Sequence, residues 1–429
     1  MPVHFDPKPA ARSVSIIGVG CTPFSFTLDN PETAGICEGE MFGYAALEAM
    51  EDAGVEPADV QYYYQAQALP IQQSDYMTHN MQVASWFGMK GKGSLGHSEA
   101  CCSSYVGLEQ AVNAVASGTY DMVLIGCCDM SDSKGIPDKP AHIREKLTFE
   151  TFAEGITKLY SRDYTRPWLG ANPVMSDGWL SQYGERYGVT KEQLDDALIE
   201  LAIVCRRNAV AHPLGISTKT YEELAEEAGF DDVHDYMKST HNAKVSEFLR
   251  SSGFEQKCDG AGALIVCPTE VAKRYCEHPI EVLGIGHSNL DGINGILEET
   301  ATREAYRQVK NLTGLSGADM DVLYAQDFVM GSQMLAAEVC EYIPEGRSWE
   351  YLLDHRTAID GDRPMNTNGG RCHFGHAHGS SGMADLFEAV KQMRGEAGPT
   401  QLPNIPKTAM IRGFGGGQNV VIAVLRTVE

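Results

Sequence analysis

Ser13–Gly20, SVSIIGVG, is a short β-branched apolar run that stops on glycines, and IEVLGIG at Ile280–Gly286 repeats it. The first reads as a buried strand, and the segments downstream of it also recur. A helix-like stretch, Ala45–Gly54, leads into GVEPADV at 54–60. A second, Arg303–Gly314, leads into GLSGADM at 314–320, with Gly, Ala and Asp in the same places. The shift is 266 residues from Gly20 to Gly286 and 260 from Gly54 to Gly314. A further pair comes later in each copy. Helix-like LEQAVNAVASG (108–118) precedes the apolar strand DMVLIG (121–126), and LFEAVKQMRGEAG (386–398) precedes TAMIRGFGGGQNVVIAVL (408–425).

Strands alternating with helices in both copies predict two layered α/β halves with mixed sheets around central helices, related by a pseudo-twofold axis. The expected halves are residues 1–275 and 276–429. Within the first, residues from about 129 to 250 break the pattern, being rich in charged and aromatic residues, with helical segments at Lys191–Asn208 and Tyr221–Glu227. This stretch is expected to be an inserted loop domain covering one face of the first half, a natural place for substrate contacts.

Bulk composition narrows the function. The 429 residues are 43% hydrophobic and 21% charged, as in a globular protein. A net charge of −24 argues against nucleic acid and against anionic membranes as partners. The N-terminal MPVHFDPKPAARS has no apolar signal core, which predicts a cytoplasmic protein. None of the twelve cysteines forms a C-x-x-C pair, so most are expected to be small buried hydrophobes.

Three stretches carry chemistry. In EACCSSYVGL (99–108), Cys101 stands just before a helix-like run. A thiol at a helix N-terminus is predicted to have a lowered pKa and to act as a nucleophile. It can equally be a small residue filling a crowded domain centre, and Cys102 points elsewhere. In NTNGGRCHFGHAHGSSGM (366–383), which holds the corresponding place in the second half, His373, His376 and His378 cluster beside Cys372. Their spacing completes no familiar metal pattern, so no metal is expected. A histidine from here facing Cys101 would make a nucleophile–base pair. In RGFGGGQNVV (412–421), Gly415, Gly416 and Gly417 would let backbone N–H groups converge on a substrate oxygen, or simply form a bend before the last strand. GVGCTPF (18–24) lacks the third glycine of a dinucleotide fingerprint.

Taken together these motifs resemble the thiolase superfamily, and within it the lipid-transfer-protein or sterol-carrier-protein-X branch. The resemblance runs nearly end to end, from SIIGVGCTPF through CDGAGALIV (258–266) to MRGEAGPTQLP and the glycine-rich terminus. The family's Cys-Ser-Thr-Gly-Ser-x-Ala-Leu aligns with CCSSYVGL so that Leu108 meets the leucine and Cys101 the acyl-accepting nucleophile. Its Gly-His-Pro-x-Gly-Ala-x-Gly becomes GHAHGSSG at 375–382, making His376 the activating histidine. The resemblance further implies an oxyanion hole from the N–H groups of Cys101 and Gly415.

Four positions depart from the pattern. Ala377 replaces a proline. Tyr105 is bulky where a small residue is usual, and is expected to crowd the site. The second catalytic cysteine of typical thiolases is matched by Gly413. The family's His-Asp-x-Phe or Asn-Glu-x-Phe becomes YAQDF (324–328), which leaves Asp327 as a candidate acid/base.

The implied activity is acyl transfer on a coenzyme A thioester through acyl-Cys101, either cleaving a 3-ketoacyl-CoA with CoA or running the reverse Claisen condensation. Coenzyme A would be a co-substrate, with no permanently bound cofactor. The alternatives are a partner-dependent retro-aldol lyase or C-acyltransferase, and a non-catalytic scaffold subunit. The resemblance also implies a homodimer, and a possible small zinc-ribbon/OB-fold accessory protein. Phe149, Phe152, Tyr160, Tyr164 and Trp168 are candidates for a bulky acyl pocket or for the insertion's own core. Arg144, Lys146, Lys158, Arg162 and Arg166 are candidates for the coenzyme A phosphates or for a solvated face.

Overall fold

The computed structural model describes residues 7–25, 36, 38–68, 80, 83–85, 87–130, 171–289, 300–416 and 419–428. Among the described residues nine strands form one sheet: β1 Val14–Cys21, β2 Tyr62–Ala66, β3 Gly93–His97, β4 Val123–Met130, β5 Asp259–Pro268, β6 Ile280–Asn289, β7 Val322–Ala325, β8 Thr408–Gly415 and β9 Asn419–Thr427. The longer helices are α1 Glu38–Ala53, α2 Ser103–Ala116, α3 Ala171–Tyr187, α4 Lys191–Ala211, α5 Thr300–Thr313, α6 Ser332–Val339 and α7 Ser381–Arg394.

The strand order β3-β2-β4-β5-β1-β6-β9-β8-β7 shows the repeat directly. Reading outward from the β1–β6 junction, each half runs first strand, last strand, next-to-last strand, second strand. In the second half the outermost place is held by a parallel bridge from Leu323 to Met365, where β3 pairs β2 in the first. Even an irregularity is copied. The β1–β5 ladder slips between Ile16 and Gly18, and the β6–β9 ladder slips between Val282 and Gly284, 266 residues on.

The glycines that end the repeated strand run have a steric cause. A Cβ on Gly20 would lie 2.2 Å from the carbonyl oxygen of Ala45, and one on Gly286 would lie 1.9 Å from that of Ala305. In both halves the first helix therefore rests its backbone on a bare strand. The offsets, 266 at the strand and 260 at the helix, are those of the sequence repeat.

The sheet is covered on both faces. On one side, α1 packs its alanine-rich face, including Ala45, Ala46 and Ala49, on Ile17, Leu124 and Ile265. On the other, α2 and α7 share a core with strands of both halves, through Leu108, Ala111, Leu386, Val390, Ile125, Leu264, Ile411 and Val421. Here α7 lies on β1 and β5 of the first half and α2 on β9 of the second. The N-termini of the two central helices consequently meet at the middle of the molecule.

The inserted region differs from expectation. Its helix α4 starts on a Thr190–Gln193 capping box and runs to Ala211, and a shorter helix follows at Tyr221–Glu227. The described part packs chiefly on the second half, while Ala209, Leu214 and Ile216 also join Cys21 and Phe24 of the first. Trp179, Leu180, Leu194, Leu198 and Leu201 join one core with Leu323, Val329, Met334, Leu335 and Phe414. The apolar stripes of α3 and α4 find their complement on α6 and β7, whose own exposed faces would otherwise be unpaired. The five aromatic and five basic residues singled out between 144 and 168 lie outside the described residues, as does Gly417. All eleven described cysteines are unbridged.

Candidate active site

The helix entries that meet at the centre are built alike. Ala100, three residues before α2, has a left-handed φ of 49°, and His378, three before α7, has 39°. Such a turn is costly for residues with a Cβ. Here it is held by Ser103, whose hydroxyl donates to the Ala100 carbonyl at 2.6 Å and accepts from the Glu99 N–H at 2.8 Å. From the other half the Gly379 carbonyl accepts from the Ser104 hydroxyl at 2.5 Å. Room for this contact exists because a Cβ at 379 would lie 3.0 Å from the Ser103 Cβ and 3.1 Å from the Ala100 oxygen.

These turns bring Cys101 and His376 together. The sulfur lies 3.6 Å from His376 Nε2, and His376 Nδ1 lies 3.0 Å from the Ser381 hydroxyl in the first turn of α7. For Nε2 to accept the thiol proton, Nδ1 must carry the other proton and donate it to Ser381, which fixes the tautomer. The main chain of His376 is clamped as well. Its N–H donates to the Gln256 carbonyl at 2.7 Å and its carbonyl accepts from the Cys258 N–H at 3.2 Å.

Electrostatics at the pair runs against the predicted lowering of the thiol pKa. Burial pushes Cys101 up to about 12, helped by the nearby Glu255 carboxylate and opposed by the Arg371 guanidinium and the Gly416 N–H. A helix terminus worth a fraction of a charge is outweighed once the sulfur loses its water. Burial likewise drives His376 well below its usual value, with His378 and Arg371 adding to the effect. At neutral pH the resting pair is thiol plus neutral imidazole. Such a pair reacts by passing the proton as the sulfur attacks.

The other candidates occupy distinct places. The Gly416 N–H acts on the Cys101 sulfur, and Gly415 packs against the turn, its position lacking room for a Cβ 2.8 Å from the Glu99 oxygen. The Cys102 thiol points away and donates to the Asn419 carbonyl at 3.2 Å. Asp327 is fully buried, and burial raises its carboxyl to about 7. Its oxygens accept from the N–H groups of Arg371 at 2.7 Å and Cys372 at 3.5 Å, at the start of the short helix Gly370–His373. That geometry makes it a cap for this turn. His373 lies away from the pair, accepting or donating at Nε2 with the Tyr221 hydroxyl at 3.0 Å.

Tyr105 is fixed by a buried polar network. Its hydroxyl donates to Asp385 Oδ2 at 2.7 Å and accepts from Arg371 Nη2 at 3.0 Å, and Arg371 forms a two-pronged pair with Asp385 at 2.6 and 2.7 Å. All three residues are buried. The ring lies over Gly413 and Gly382, where added Cβ atoms would fall 2.2 and 2.8 Å from ring carbons. Tyr105 thus fills the space beside position 413.

Sequence reasoning missed Ser381, Glu255 and the Arg371–Asp385–Tyr105 network. Ser381 had a signal, standing five residues after His376 at the head of a helix. Glu255 had none, because its segment reaches the site only by running alongside residues 371–376. His378 is also at the centre. Donor atoms of Cys101, His376 and His378 all lie within 4.8 Å of one another.

Residues 284–427 match the family model described as thiolase C-terminal domain-like. The chain is 29% identical to an acetyl-CoA acetyltransferase of Methanothermobacter thermautotrophicus, over 94% of this chain and 97% of that protein. It is 25% identical to the benzoylsuccinyl-CoA thiolase subunit BbsB of Thauera aromatica, over 95% of each. Among solved structures, an Ltp2-ChsH2(DUF35) aldolase superposes with a TM-score of 0.71 at 21% identity, covering 96% of this chain and 97% of that one. The fold is the thiolase fold.

Proposed function

We propose that this chain, a homologue of the acetyl-CoA acetyltransferases that carries a thiolase C-terminal domain, is a thiolase-type acyltransferase working on coenzyme A thioesters through acyl-Cys101. The observation that carries the reading is the 3.6 Å approach of Cys101 Sγ to His376 Nε2, made by two helix entries from opposite halves. Cys101 attacks the thioester or keto carbon as its proton passes to a facing imidazole. The resemblance to the family assigns the negative oxygen to the N–H groups of Cys101 and Gly415. Coenzyme A then takes the acyl group and Cys101 recovers its proton. A retro-aldol cleavage needs no acyl-enzyme, which is why the retained Cys101–His376 pair favours transfer.

We read residues 1–275 and 276–429 as the two halves of one catalytic unit, coenzyme A as a passing co-substrate, and the protein as a cytoplasmic homodimer. The described cysteines are unbridged, as in a reducing compartment. None of the described helices is long and apolar enough to cross a membrane. Strand β3 is outermost in the described sheet, carries no charged residue and leaves Leu95 46% exposed, the kind of edge that a second copy covers. The aldolase of the same fold, assembled with a DUF35 partner, keeps the lyase reading and a small accessory subunit in view.

The test is thiolysis of a panel of 3-ketoacyl-CoA esters by purified protein, with and without its small zinc-ribbon partner if one co-purifies. The reading expects CoA-dependent cleavage that Cys101→Ser abolishes. Cleavage of 3-hydroxyacyl-CoA esters to an aldehyde or ketone, without CoA and persisting in Cys101→Ser, together with no thiolysis of the 3-ketoacyl panel, would establish the lyase instead.

A further inference from the structure

A thiolase cycle has two proton transfers of different kinds, one at sulfur and one at the carbon α to a thioester. The structure supplies His376 for the first. For the second, position 413 is a glycine, and the space beside it is occupied by the Tyr105 ring, 2.2 Å from where a Cβ would stand. Asp327 is committed to the backbone N–H groups of Arg371 and Cys372. Among the described histidines, cysteines and carboxylates, His378 is the further one with a donor atom within 4.8 Å of both the Cys101 sulfur and a His376 ring nitrogen.

His378 comes from the same turn as His376 but from the opposite end of it. Its ring stacks on that of His376 with centroids 5.3 Å apart and planes 17° off parallel, so both imidazoles face the nucleophile. Burial drives its pKa down, and the Lys257 charge adds to this, so the resting ring is neutral and able to accept a proton. Water is largely excluded, since only 4% of the residue is exposed.

We infer that His378 is the acid/base that handles the α-carbon proton, one histidine serving each half of the cycle. The inference rests on the thiolase reading above. In the cleavage direction the Cys101 proton passes to His378 as sulfur attacks the 3-keto carbon. The C2–C3 bond breaks with its electron pair going to C2, and His378 returns the proton there. CoA thiol then gives its proton to His376 and attacks acyl-Cys101, and the departing Cys101 sulfur takes that proton back. Condensation is the reverse. The neutral His378 ring removes the C2 proton from an acyl-CoA, the carbanion attacks acyl-Cys101, and the proton ends on the released sulfur.

Acetyl-CoA is the probe for both halves. Exchange of labelled CoA into acetyl-CoA reports the sulfur half, and uptake of deuterium at C2 from D2O reports the carbon half. His378→Asn suits the left-handed backbone at this position, as does His378→Asp. His378→Asn should keep CoA exchange within about threefold while C2 deuterium uptake falls by about 100-fold or more, the range for losing a general base. His378→Asp, which restores a base, should recover part of the deuterium uptake. The inference is overturned if His378→Asn keeps C2 exchange, or if both exchanges fall together and Asp rescues neither. Absence of CoA exchange in the unmodified protein, and with it of acyl-Cys101, would instead remove the thiolase reading itself.

Discussion

Placing a cysteine at position 413 should destabilise the protein, and the size of the effect can be worked from Tyr105. Gly413 lies in β8 without a left-handed backbone, so its side-chain space alone decides the outcome. A Cβ there would be 2.2 and 2.3 Å from two Tyr105 ring carbons, against the 3.5 Å or more of an ordinary carbon contact. The ring must retreat by about 1.3 Å, and it is fully buried with both hydroxyl partners fixed. Overpacking of this kind costs about 1–3 kcal/mol. Pulling the hydroxyl off Asp385 and Arg371 adds about 1.5–3 kcal/mol, since both partners are charged. Urea unfolding of Gly413→Cys should therefore show a loss of about 2.5–6 kcal/mol. Tyr105→Ser alone should also destabilise, by opening a cavity. The double variant should be more stable than the sum of the two by about 2 kcal/mol or more, because each change relieves the other. Additivity within about 0.5 kcal/mol, or a Gly413→Cys protein as stable as the parent, would refute the claim that these positions exchange volume.

Arg371→Met leaves Asp385 buried without its charge partner and should cost about 3–5 kcal/mol in urea unfolding, with a neutral result contradicting the buried pair. Because burial raises the Cys101 thiol to about 12, its thiolate fraction keeps growing with pH, so the logarithm of its alkylation rate by iodoacetamide should climb steadily from pH 7 to 10; a plateau below pH 8 would mean a preformed thiolate–imidazolium pair. Gly20→Ala and Gly286→Ala should each destabilise by about 3 kcal/mol or more, since a Cβ would meet helix carbonyls at 2.2 and 1.9 Å; tolerance of either would break the claimed equivalence of the halves.

The repeat was legible because its cause is local. A helix backbone resting on a strand demands glycine, and Gly20 and Gly286 advertise it in the sequence. Cys101 and His376 were legible for a related reason: each precedes a helix, and the duplication says the two helices must meet. What stayed hidden depends on long-range placement. The two apolar helices of the insertion carry no mark of which half they will cover, and they went chiefly to the second. Tyr105 read as bulk near the nucleophile, and the sequence does not say which way its ring turns. Only the pairing with Gly413, 308 residues away in the chain, shows where the ring goes. The thiol pKa was misjudged because position at a helix end is written in sequence, whereas loss of water is not.

The central claim is a covalent acyl-enzyme at one of twelve cysteines. Intact-mass measurement after incubation with acyl-CoA esters, followed by peptide mapping, tests it without assuming a final product. The account predicts one acyl group per chain, located on Cys101, absent in Cys101→Ser and released by added CoA. An acyl group on another cysteine, or none on a protein that nonetheless cleaves its substrate, would contradict it.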